Sequence, residues 1–127
     1  DILVAVIIVA CENSSWSLLP SSSGILDEEW ESYLQSKMSI KMLWPAQRLI
    51  SRKGIVAVEE SSIVQLPTGV GKTRSIELII RAALLSERAN IAIIVAPLRA
   101  LCNEITMDMY KAFGNDVTII SFLMYFK

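Results

Sequence analysis

The chain has 127 residues, a formal net charge of -1 and a hydrophobic fraction of 53%, with a mean hydropathy of +0.47 and a sequence pI near 5.4. That length bounds it to one domain or part of one. The near-neutral balance excludes a strongly basic nucleic-acid binder, although backbone amides and a few local cations suffice for such binding.

The high hydropathy requires either a membrane segment or several strands buried on both faces. The longest apolar run, Ile2 to Cys11, is about half of the roughly 20 residues that a spanning helix needs. No stretch combines a basic start with a small-residue cleavage site. Buried parallel strands and no membrane partner are the expectation. Cys11 and Cys102 match no metal spacing and the sequence contains no His, so two reduced core thiols in a cytoplasmic protein are expected. Opening at Asp1 and closing in an apolar run, the chain reads as a piece of a larger protein.

In chain order, Ile2 to Ala10 is rich in Ile and Val and predicts a buried strand, and Asn13 to Gly24, Ser-rich with Pro20, predicts a loop or linker. From Asp27 the pattern turns helical, with Leu26, Trp30, Tyr33, Leu34 and Met38 on one stripe and Asp27, Glu28 and Glu29 suited to the N-terminus. Pro45 opens a second helix carrying Ala46, Leu49 and Ile50, closed by Gly54. Ser62 to Leu66 then predicts a strand, Lys72 to Ser86 a helix, and Ile91 to Ala96 a strand. Arg99 to Phe113 predicts a helix stopped by Gly114, and Val117 to Ile120 another strand. Two successive βαβ units follow from this alternation, so the expected fold class is α/β, a parallel sheet flanked by helices.

Between the strand at 62–66 and the helix at 72 lies Leu66-Pro67-Thr68-Gly69-Val70-Gly71-Lys72-Thr73. It fits the end of the P-loop pattern, with Leu66 where a small residue is usual. Gly69 and Gly71 allow a tight turn that aims backbone N–H groups at phosphate oxygens. The following helix adds its unpaired amides and the positive end of its dipole. Lys72 supplies a point charge to the β- and γ-phosphates, and the Thr73 hydroxyl is a ligand for Mg²⁺. Hydrolysis also needs a carboxylate at a neighbouring strand end. Glu12 lies on the wrong side of the turn in chain order and reads as a solvated acid.

The segment LPTGVGKT resembles motif I of superfamily-2 (DEAD/DEAH-type) helicases. Trp44-Pro45-Ala46-Gln47 resembles the upstream element in which a Gln reads the adenine edge, a role suited to an amide that donates and accepts together. Val95-Ala96-Pro97-Leu98-Arg99-Ala100-Leu101 resembles motif Ia, which meets the nucleic-acid backbone. The resemblance covers about residues 42–121. The tail from Ser121 to Lys127 lacks the Thr-Gly pair usual in those helicases, and residues 1–40 resemble nothing in them.

This resemblance implies two parts, an upstream or accessory segment over 1–40 and a partial N-terminal RecA-like ATP-binding lobe over 41–127, with a RecA-like P-loop NTPase fold. It implies ATP and Mg²⁺ as cofactors, held by Gln47, Pro67, Thr68, Gly69, Val70, Gly71, Lys72, Thr73 and Arg74, with Lys72 and Thr73 in the catalytic role and Thr73 on the metal. It implies a DNA or RNA strand at Pro97, Leu98 and Arg99, and a second RecA-like lobe outside this chain. The implied activity is that of an ATP-dependent helicase or translocase. The alternatives are another P-loop ATPase, or a non-catalytic module that binds nucleotide or nucleic acid.

Overall fold

The computed structural model describes residues 1–57, 61–114 and 116–122. Among them the chain forms α1 (Ile2–Asn13), α2 (Ser15–Ser23), α3 (Asp27–Gln35), α4 (Pro45–Arg52), α5 (Lys72–Leu85) and α6 (Arg99–Phe113). They fall into two compact units, Asp1–Ile91 and Ala92–Lys127.

The expected parallel sheet does not form among the described residues, and the α/β, RecA-like reading is corrected accordingly. Those residues contain six helices and no strand, with an isolated antiparallel bridge between Ser14 and Met42. The run Ile2 to Ala10, expected as a strand, lies within α1, where Asp1 Oδ1 accepts from the Leu3 amide at 3.1 Å. A helix closes its backbone hydrogen bonds within its own segment, whereas a strand needs neighbours. Such neighbours are missing at the other expected strands too. Residues 62–66, 91–96 and 117–120 run without sheet pairing. Ile63 (101%), Ile93 (84%) and Val95 (87%) are exposed rather than covered on both faces.

The Ser-rich stretch expected as a linker is α2. Ser14 caps its start, accepting from the Trp16 amide at 3.3 Å. Inside, Ser21 and Ser23 donate back to the carbonyls of Ser17 and Leu19, both at 2.7 Å, so these hydroxyls are satisfied without leaving the helix. Gly24, with φ +69, ends it by donating to the Pro20 carbonyl, the left-handed cap that glycine favours.

The first unit is built on one core. Leu19 of α2, Trp30 and Leu34 of α3, Ile50 of α4, and Leu78 and Ala82 of α5 are buried together, with Leu43 and Val56 from the connections. The stripe on α3 is buried at Trp30, Tyr33 and Leu34, while Leu26 and Met38 are exposed. The Trp30 indole N–H donates to Ser23 Oγ at 2.9 Å, meeting the need of a fully buried tryptophan. Residues before position 40 therefore share the core on which the helix after the Gly-rich turn rests. α1 keeps most of its apolar side chains exposed, Ile2, Val6 and Val9 among them. Among the described residues no helix is long and apolar enough to cross a membrane.

In the second unit, α6 is closed by Gly114 at φ +57, which donates to the Tyr110 carbonyl. Tyr110 Oη donates to the Ile119 carbonyl at 3.0 Å, and Thr106 Oγ1 lies 3.4 Å from Ser121 Oγ, so residues 117–122 return along α6. Residues 123–127, most of the tail lacking the Thr-Gly pair, lie outside the described residues.

Candidate nucleotide-binding site

The turn at Pro67–Gly71 takes the conformation that its glycines allow. Gly69 has φ +79 and Gly71 φ +82, both in the left-handed region. Gly71 is the N-cap of α5 and, lacking a side chain, caps none of the first amides. The first amides of α5 stand at the helix start, where the helix supplies no carbonyl of its own to them. Pro67, Thr68, Lys72 and Arg74 are exposed, while Val70 and Thr73 are half-buried. These residues form a cradle of glycine turn, helix N-terminus and lysine suited to a phosphate group.

The two glycines differ in their surroundings. A Cβ on Gly69 would meet nothing within 4 Å, whereas one on Gly71 would lie 2.9 Å from Gln47 Nε2 and 3.8 Å from Trp44 Cε3. Folding thus brings together two stretches that the sequence keeps apart, the Trp44–Gln47 element and the phosphate turn. Gln47 is buried, and its Oε1 accepts from the Trp44 amide at 2.9 Å. Trp44 carries no acceptor, so only the Gln47 half of a capping box is present. Pro45 follows as the first helical residue, where its missing N–H costs nothing. Gln47 Nε2 donates no hydrogen bond among the described residues and faces the turn.

Arg74, exposed at 44%, is held by Glu77, whose Oε2 accepts from Nη1 at 2.7 Å. Glu77 is buried at 1% and also faces Arg81 at 3.8 Å. The Arg81 guanidinium in turn lies 4.2 Å over the Tyr33 ring, a cation–π arrangement. Burial, reinforced by the Glu77 charge, pushes the Tyr33 hydroxyl up to about 12. The Tyr33 oxygen accepts from the Ile40 amide at 3.2 Å. This group, which ties α5 to α3, was missed in the sequence. The spacing of Glu77 to Arg74 and Arg81 signals helix-surface pairs, and nothing local signals that the carboxylate is buried.

Also missed was Asn13. Its Oδ1 accepts from Arg48 Nη1, its Nδ2 donates to the Val9 carbonyl at 2.7 Å, and its backbone carbonyl accepts from the Leu43 amide at 3.0 Å. Pro97, Leu98 and Arg99 belong to the other unit. There Leu98 is the N-cap of α6 without a side-chain cap, Pro97, Leu98 and Arg99 are exposed, and Cys102 Sγ lies 3.6 Å from the Ala96 carbonyl.

Searches among curated proteins and among solved structures find no match. The family model for the DEAD/DEAH box helicase matches residues 44–124, a span that begins at Trp44 and takes in the phosphate turn, Glu77 and the whole of α6. With that span covering more than half of its length, the chain belongs to the DEAD/DEAH box helicase family.

Proposed function

We propose that the chain is the ATP-binding part of an ATP-dependent nucleic-acid helicase or translocase, and that ATP with Mg²⁺ sits on residues Pro67 to Arg74. The observation that carries this reading is the cradle itself. Two left-handed glycines lead into a helix whose first amides no side chain caps, with Lys72 exposed beside them. The residues fit the ligand. The open space over Gly69 admits a phosphate oxygen, the first-turn amides and the helix dipole favour negative charge, and the Thr73 hydroxyl is a hard oxygen donor suited to Mg²⁺.

When bound, the nucleotide supplies the phosphoanhydride whose cleavage drives movement along a strand. The chain's own residues bind and orient it. Lys72 neutralises phosphate charge, Glu77 fixes where the Arg74 guanidinium stands, and Gln47 offers an amide N–H and a second lone pair on Oε1 to a base edge. Pro97, Leu98 and Arg99 form the strand contact in this reading, with exposed backbone at the start of α6 and one cation meeting phosphates.

Calorimetric titration of the chain with ADP and Mg²⁺ tests the reading. Lys72→Ala is expected to weaken binding at least tenfold, as loss of a charged contact of about 1.5–3 kcal/mol implies. Equal heats for the two proteins would refute it.

A further inference from the structure

We infer that Asn13 is a positioning residue for the base side of the nucleotide site, acting through Arg48 on the helix that carries Gln47. This rests on the reading of the Pro67–Arg74 turn as the ATP cradle.

The orientation of the Asn13 carboxamide follows from its partners. Val9 offers only a carbonyl, so the amide nitrogen turns toward it; Arg48 offers only donors, so Oδ1 turns the other way. Fixed at the end of α1, Oδ1 holds a guanidinium that is one residue beyond Gln47. A charge-assisted bond of this kind is stronger than a neutral one and more directional. The same residue's backbone carbonyl takes the Leu43 amide at 3.0 Å, immediately before Trp44. Ser15 adds its amide and hydroxyl to the Lys41 carbonyl, both at 3.1 Å.

α4 needs such anchorage. It has eight residues, too short to hold its place by its own backbone bonds. Its position decides where Gln47 stands, and Gln47 Nε2 has no slack on the Gly71 side, where a Cβ would come within 2.9 Å. A helix rotated by the loss of Arg48 would carry the carboxamide off the turn. The phosphate cradle itself, made of backbone on the α5 side, would remain. Asn13 is thus expected to govern affinity for the base and not for the phosphates.

The experiment compares ADP with inorganic tripolyphosphate, both with Mg²⁺, by calorimetry on the chain, its Asn13→Ala, Arg48→Met and double variants, and Asn13→Asp. Asn13→Ala and Arg48→Met are each expected to weaken ADP by about three- to tenfold, the range set by one net hydrogen bond. The double variant should lose no more than either single, and tripolyphosphate should change less than about twofold in all of them. Asn13→Asp keeps an oxygen for Arg48 and should keep ADP affinity, even though it gives up the bond to the Val9 carbonyl and a carboxylate at a helix C-terminus lowers the melting temperature. That separation of affinity from stability is one that a merely structural asparagine would not show. If Asn13→Ala does not fold, Arg48→Met, which retains the aliphatic stem, carries the same expectation.

Additive losses, parallel losses for tripolyphosphate, or an Asn13→Asp variant as weak as Asn13→Ala would each overturn the inference while leaving the cradle standing. If the unsubstituted chain shows no Lys72-dependent binding of either ligand, the cradle reading fails and the inference fails with it.

Discussion

Replacing Gly71 by alanine isolates the contact between the phosphate turn and Gln47. The backbone there has φ +82, and a Cβ in the left-handed region costs about 1–2 kcal/mol. At Gly71 a second cost is added. The new methyl would stand 2.9 Å from Gln47 Nε2, closer than non-bonded atoms tolerate, so the buried carboxamide must shift. Its Oε1 would then leave the Trp44 amide, now at 2.9 Å, with a loss of about 0.5–1.5 kcal/mol. The expected destabilisation is about 2–3 kcal/mol. Gly69→Ala is the internal control, with φ +79 and no atom within 4 Å of the added methyl, and should cost only the backbone part. Urea unfolding followed by far-ultraviolet circular dichroism measures both. In a Gln47→Ala background the Gly71→Ala penalty should fall to that of Gly69→Ala, because the clashing atom is gone. Equal costs for the two glycines in the unsubstituted chain, or a Gly71→Ala penalty unchanged by Gln47→Ala, would refute the reasoning.

Alkaline pH tests the buried Tyr33. Its hydroxyl is pushed up from 10.0 to about 12 in the fold, so below pH 10 both states keep the proton and stability is unaffected. Between pH 10 and 12 the unfolded chain gives up its proton first, and stability should fall by about 2–3 kcal/mol in all. Tyr33→Phe should flatten that fall in urea midpoints measured across the range, and an unchanged slope would show that the hydroxyl is not the group responsible. Glu77→Ala removes the buried carboxylate that faces both Arg74 and Arg81, and should cost about 1–3 kcal/mol in the same unfolding assay; an unchanged urea midpoint would show that the carboxylate contributes nothing to the fold. Arg99→Ala should weaken binding of a single-stranded oligonucleotide about equally across sequences and reduce the salt slope by roughly 0.7, one phosphate contact. A salt titration that leaves the slope unchanged would remove Arg99 from the strand contact.

The two helices bounded by glycine were the most legible parts of the fold. α6 runs Arg99–Phe113 as its pattern predicts, and α5 starts at Lys72, because Gly71 and Gly114 mark the ends by a conformation that other residues resist. The failures share a different cause. A short run of Ile and Val is compatible with a buried strand or with a helix, and the choice depends on whether other strands supply hydrogen bonds. Ile2 to Ala10 has no such partner among the described residues and closes its bonds as α1. The Ser-rich stretch misled for a related reason. Serine and proline weaken a helix only while their polar groups lack better partners, and in α2 the hydroxyls return to carbonyls of the preceding turn while Leu19 and Pro20 are buried.

At the site, what the sequence could carry was whatever chemistry is written in consecutive residues. The glycines, Lys72 and Thr73 act from adjacent positions, so their spacing states their geometry. Gln47 could be named but not placed, since its role depends on Gly71 having no side chain to occupy the space where Nε2 now stands. Asn13 carried no signal at all. It reaches Arg48 across 35 positions, and its chemistry resembles that of any asparagine closing a helix. The same limit applies to Glu77, whose neighbours at three and four residues describe an ordinary solvated pair. Tyr33, arriving from α3 beneath Arg81, makes that pair part of a buried network. Residues that bind a ligand through the backbone of one turn are therefore readable in advance, and residues that hold this turn in place are not. They are the ones whose substitution should change affinity without touching the nucleotide.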